Sequence, residues 1–168
     1  MVAVTSPGPV RRPPPLSVGI AVAAAAAVVL SVVRVPLAAG IGVLGVVSVI
    51  AGSLLGVRTL LELSGAALGM AVVVGGSLGA APASVSVAAL AAVVAFDVAD
   101  HAYGLGQGIG RDARTRRNEL VHAGGSLLTG GLAGAIAYGV FVGIAGGQPT
   151  TALAFLLCGA IALIAALR

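Results

Sequence analysis

Six apolar stretches, each close to the length that crosses a bilayer as a helix, take up nearly the whole chain. They run over 16–33, 37–57, about 59–78, about 83–103, about 120–145 and 151–167. About 20 residues of helix are needed to cross roughly 30 Å of hydrocarbon. The links are short. Arg34-Val35-Pro36, Gly79-Ala80-Ala81-Pro82 and Gly146-Gly147-Gln148-Pro149 each carry a proline, so the chain reads as helical hairpins in series. No period-two alternation runs through the stretches, which argues against a barrel. The expectation is an all-α polytopic transmembrane bundle, one domain over 16–168, with about six spans. Four spans, with the two shortest runs re-entrant or peripheral, is the alternative.

Composition supports lipid as the solvent. Of 168 residues 59% are hydrophobic and 8% charged, with a mean hydropathy of +1.15, against about 25% charged in a typical soluble domain. So few polar groups cannot cover a surface in water. The 26 glycines suit close helix packing in a bilayer, and several four-residue pairs (Gly52/Gly56, Gly65/Gly69, Gly75/Gly79, Gly130/Gly134, Gly139/Gly143) lie within the runs. Cys158 is the only cysteine, so no intramolecular disulfide forms and a cysteine-based metal site is not expected. All nine basic residues are arginine, which leaves no lysine for Schiff-base chemistry.

Residues 1–15 form a Pro-rich tail with Arg11 and Arg12 just before the first run. The pattern is similar to the start of a signal peptide. The run that follows is long for one and leads into Arg34 and Pro36, so an uncleaved first span is preferred. Arginine placement sets the orientation, because positive charge accumulates in cytoplasmic segments. With the N-terminus inside, the inner segments hold Arg11, Arg12, Arg58, Arg111, Arg114, Arg116, Arg117 and Arg168, and the outer links hold only Arg34. Both termini are expected in the cytoplasm, in a multi-pass protein of the cell membrane. The net charge of +4 is then largely a topology signal, and no nucleic-acid partner is expected.

That orientation gathers the remaining polar groups into one inner layer. Glu62 opens the third span, Asp97, Asp100 and His101 close the fourth, and Glu119 and His122 open the fifth. Spacings of three and four residues place Asp97, Asp100 and His101 on one helical face. A carboxylate inside the bilayer is expensive and calls for a partner or a proton. Asp97 is therefore read either as a proton- or cation-handling group or as a structural bond locking the fourth span to a neighbour. Glu119 and His122 form a Glu-x-x-His pair that, with Asp97 or Glu62, would resemble a carboxylate–histidine metal site. The plain alternative pairs Glu119 with adjacent arginines and His122 with a backbone or serine group.

The inner loop over 104–119 carries Arg111, Arg114, Arg116 and Arg117, suited to anionic headgroups at about 1 kcal/mol per charge, to an acidic protein partner, or to topology alone. Gly104-Leu-Gly-Gln-Gly-Ile-Gly110 lacks the register, the preceding strand and the GKS/T ending of a phosphate loop and is read as a flexible break. Ser126 follows His122 by one turn, and no acid is evident to complete a triad. No catalytic residue, metal or cofactor is expected from the residues.

The segment from Phe96 to Ser126 resembles an uncharacterised family of small haloarchaeal integral membrane proteins. The pattern that carries the resemblance is Asp97, Gly106, Gly110, Ala113, Thr115, Arg117, Glu119, His122 and Ser126. It covers under a quarter of the chain, and the remainder matches in hydropathy alone. The resemblance implies a gene neighbourhood with a MoxR-type AAA ATPase and a role as membrane subunit or anchor of that chaperone-like system. The chain departs from it in being basic, where such organisms favour acidic proteins. The reading that follows is a non-enzymatic membrane component docking a cytoplasmic partner, with homo-oligomerisation open. A small carrier using Asp97 is the alternative, and a metal-dependent membrane enzyme is the third.

Overall fold

In a computed structural model, residues 13–108, 116–144 and 156–159 are described, and all the secondary structure among them is helical. The long helices are α1 (Pro15–Val32), α2 (Pro36–Leu55), α3 (Arg58–Ser77), α4 (Pro82–Gly108) and α5 (Arg116–Ile144). Residues 156–159 are also helical; the rest of the sixth apolar run lies outside the described residues, as do residues 1–12 and 109–115. All five long helices have the length and hydropathy to cross a membrane. The chain is an all-α multi-pass membrane bundle.

Prolines sit where a helix can use them. Pro15 and Pro36 occupy the first turns of α1 and α2, and Pro82 begins α4. The missing N–H is one that has no intrahelical acceptor at that position. Two helices end on glycine geometry: Gly56, at φ 65°, lets the Val57 N–H reach back to the Gly52 carbonyl at 3.0 Å, and Gly79, at φ 91°, turns the chain towards α4.

α1 to α4 close a ring in which α1 packs on α2 and α4, and α3 packs on α2 and α4, while α5 lies outside the ring against α4 and one end of α1. The most extensive packing joins α2 to α3, across the two-residue link Gly56-Val57. The pattern is thus a closed four-helix ring with a fifth helix leaning on it, and the proline-marked hairpins are not its separate units.

The interior is built from small residues. α1 buries Ser17, Ala21, Ala25, Val28 and Val32, one face at steps of four or three, while Leu30 on its other side is 71% exposed. The same inversion holds elsewhere, with Leu37, Leu44, Leu54, Leu55 and Leu63 all directed outward. In water this would leave a large apolar surface uncovered. In lipid it is sensible, since tails solvate leucine and small residues let helices approach closely. The tight glycine contacts recur at seven residues rather than four: a Cβ on Gly45 would stand 2.7 Å from the Leu68 side chain, and one on Gly52 2.8 Å from Leu61. Of the four-residue pairs, Gly52, Gly65, Gly75 and Gly130 are closely packed, but Gly69, Gly79, Gly134, Gly139 and Gly143 have open space.

One boundary differs from the sequence reading. α4 continues through Gly104 to Gly108, and α5 begins at Arg116 instead of 120, so the connecting segment is shorter than 104–119. The cost of helical glycine is set against water. With Ala102 and Gly106 buried, the alternative for this backbone is unpaired amides, which is worse.

Candidate functional site

Antiparallel packing brings one end of the bundle together from the start of α1, the start of α3, the last turns of α4 and the start of α5. Among the described residues, the polar side-chain contacts between helices gather there.

Glu119 is only 4% exposed although it lies in the first turn of α5. Its Oε2 accepts the backbone N–H of Ser17 at 2.9 Å and the Ser17 hydroxyl at 2.7 Å. Ser17 is in the first turn of α1, and the Pro14 position before that helix offers no side-chain cap. First-turn amides have no partner within their own helix, and a carboxylate there also meets the favourable end of the helix dipole. α5 therefore supplies the cap that α1 lacks. Spacing within the sequence gave no sign of Ser17, because its partner is 102 residues away.

Asp97, 5% exposed, faces α5. Ser126 Oγ donates to Asp97 Oδ2, and His122 Nε2 lies 2.8 Å from the same oxygen without the alignment of a hydrogen bond. The Ser126 hydroxyl is also 3.0 Å from the His122 carbonyl. One proton serves one acceptor at a time, and the carboxylate is the stronger. His101, one turn beyond Asp97, stacks on His122 with ring centres 3.8 Å apart and planes 13° from parallel. An acid does stand beside Ser126: Asp97, from the neighbouring helix, is in contact with it. The grouping is still not a hydrolase triad, because serine and histidine meet the same carboxylate oxygen and the histidine does not stand between them.

Asp100 turns away from Asp97 and His101. It faces Arg58 of α3 at 3.6 Å, and Arg58 in turn bonds Glu62 at 3.0 Å. The single face expected for Asp97, Asp100 and His101 thus splits, because a step of three residues falls short of a full turn of 3.6 and α3 and α5 pack on different sides of α4. Asp97 also stands deeper than expected. With the helix ending at Gly108, eleven residues at 1.5 Å each place it about 16 Å from that end.

The structure accordingly joins Asp97, His101 and His122 in one group and Glu62 and Asp100 in another, with Glu119 turned to Ser17. Among the described residues no three His, Cys, Asp or Glu side chains converge to hold a metal ion. Arg116 and Arg117 are exposed in the first turn of α5, where with Leu120 and Val121 they border a surface hollow of about 490 Å³. Arg111 and Arg114 lie outside the described residues. A second cavity, of about 430 Å³, runs between α4 and α5 and has Asp97, His122, Ser126 and Thr129 along its wall.

Comparison with curated proteins and with solved structures finds no match. A family model does match, over residues 11–164. That range takes in the four-helix ring, α5 and the polar end they share. The chain belongs to the family of unknown function DUF7519.

Proposed function

We propose that the chain is a non-enzymatic membrane subunit of the cell membrane, with both termini cytoplasmic, that docks an acidic protein partner through the arginines at the start of α5. The observation that carries this reading is the placement of Arg116 and Arg117. Cations in the first turn oppose the helix dipole, and both side chains point outward around a hollow that also exposes Leu120 and Val121. Of the carboxylates at the polar end, Glu119, Asp100 and Asp97 are directed at other helices, to Ser17, Arg58, His122 and Ser126, and the exposed Glu62 is paired with Arg58 of its own helix. At the start of α5 the outward-facing charge is therefore basic, next to exposed apolar side chains, which suits a segment combining acidic and apolar residues. Arg111 and Arg114, next in sequence, add to the same charge.

The resemblance to small haloarchaeal membrane proteins names a partner to try, a MoxR-type ATPase. The test is flotation of purified ATPase with vesicles holding the full chain. Retention by the wild type, and its loss when Arg111, Arg114, Arg116 and Arg117 are changed together to Glu, is the expected result. Equal retention by both would remove the docking surface. Equal loss when the vesicle lipids alone are made anionic or neutral would assign the arginines to headgroups instead.

A further inference from the structure

The cavity between α4 and α5 adjoins the arginine hollow, with Val121 bordering both, and combines features that the docking role does not use. Its wall is mostly apolar, with Val93, Val121 and Ala133 alongside Gly125 and Gly130. Polar groups enter at one region only, where Asp97, His122 and Ser126 are clustered and Thr129 follows one turn on. A volume of about 430 Å³ falls within the range typical of small-molecule sites, which are likewise apolar with few polar groups. Val121, Gly125 and Thr129 are exposed along its rim, so it opens sideways, towards the lipid, between the two helices.

Chemistry narrows the occupant. The charged group on the wall is a carboxylate more than nine-tenths buried, which favours a cation and disfavours an anion. A bare metal ion fits poorly, because no three ligating side chains converge among the described residues. The apolar remainder and the lateral opening favour a molecule that already partitions into membranes. A buried ionisable group inside a membrane bundle is the default marker of such a site. Gly125 supplies part of the room, since a Cβ there would meet nothing within 4 Å.

We infer that the α4–α5 cavity binds a small hydrophobic ammonium compound, with its charged nitrogen at Asp97 and its apolar body along Val93, Val121 and Ala133. Ser126, which donates to the same carboxylate oxygen, holds Asp97 in place as a positioning residue. The inference does not depend on partner docking.

Calorimetric titration of benzylammonium into nanodiscs holding the full chain, with empty nanodiscs subtracted, tests it. Benzyl alcohol and benzoate serve as the neutral and anionic counterparts. Saturable binding of benzylammonium alone is expected, and Asp97→Asn weakens it about tenfold or more, the worth of a hydrogen bond to a charged group. Gly125→Leu fills the cavity from its open side and abolishes binding, while the thermal transition followed by circular dichroism stays in place; this arm stands even if Asp97→Asn fails to fold. Equal binding of benzyl alcohol, or benzylammonium binding indifferent to Gly125→Leu, would overturn the assignment. Charge reversal at Arg116 and Arg117 leaves this binding unchanged, so the failure of the docking role and of this site are separately readable.

Discussion

Glu119 caps the first turn of α1 from the first turn of α5, its carboxylate taking both the N–H and the hydroxyl of Ser17. The contact ties α5, which otherwise leans mainly on α4, to α1, the helix next to α4 in the ring. It also explains how a carboxylate becomes nearly inaccessible at a helix end bordered by arginines.

Loss of that cap is measurable. Glu119→Ala leaves the Ser17 amide and hydroxyl without this acceptor, and the expected loss is about 1–3 kcal/mol. Ser17→Ala removes the hydroxyl bond but keeps the amide bond and costs less, about 1 kcal/mol. Glu119→Gln retains an acceptor and falls between wild type and Glu119→Ala. Reversible unfolding in mixed micelles gives the ranking, and a Ser17→Ala loss larger than that of Glu119→Ala would contradict the capping geometry.

Asp97 divides its contacts between two side chains of α5, so their removal should not be additive. Ser126→Ala and His122→Ala each remove one partner of the same oxygen. A double-mutant cycle is expected to show coupling of about 0.5–3 kcal/mol, as for residues in one network. His122→Phe keeps a flat ring against His101 and should destabilise less than His122→Ala. Strict additivity in the cycle would mean that the two contacts are independent.

Arg58 makes the opposite case. Its contacts join the exposed Arg58 and Glu62 to a half-buried Asp100, and ion pairs so open to solvent contribute little because water and salt screen them. Arg58→Gln is expected to leave the unfolding transition where it is, at low and high salt alike. A salt-dependent loss of stability in this variant would show that the trio is better shielded than its exposure suggests.

The helices were legible because solvent chemistry wrote them. Runs of 18 or more apolar residues punctuated by proline admit few other structures, and the long helices start and stop close to those runs. Which helices touch was not legible. Small buried residues and outward leucines give no pattern that tells α2–α3 from α1–α2, and the tight contacts at Gly45 and Gly52 recur at an interval different from the four-residue motif. At the site, residue types pointed to the right end of the bundle, but partners did not: Ser17 to Glu119 and Ser126 to Asp97 are long-range pairings. Spacing along one helix also put Asp100 with Asp97, whereas the packing of α3 and α5 on different sides of α4 pulled them apart.

Glycine substitutions test the packing directly. Gly45→Ala and Gly52→Ala force a methyl group against Leu68 and Leu61 at less than 3 Å, and overpacking of this kind typically costs about 1–3 kcal/mol. Gly40→Ala, in the same helix with nothing near its Cβ, should be neutral or slightly stabilising, since alanine is favoured over glycine in a helix. If all three behave alike in the unfolding assay, the α2–α3 interface is not as close as the structure has it.

The orientation is tested by which face of the membrane a probe must reach. Arg58 and Arg116 begin different helices but stand at the same end of the bundle, whereas Leu78, 57% exposed, follows α3 at the other end. In a Cys158→Ser background, single cysteines at 58, 116 and 78 offer three reporters for a membrane-impermeant maleimide. The arginine bias predicts that position 78 is labelled in intact cells, and that positions 58 and 116 react only after the membrane is opened. The two halves of the outcome separate cleanly. Positions 58 and 116 labelling together from outside would reverse the orientation while leaving the bundle intact. Labelling of one without the other would break the antiparallel packing itself, and with it the meeting of Glu119, Asp97 and Arg58 at one membrane surface.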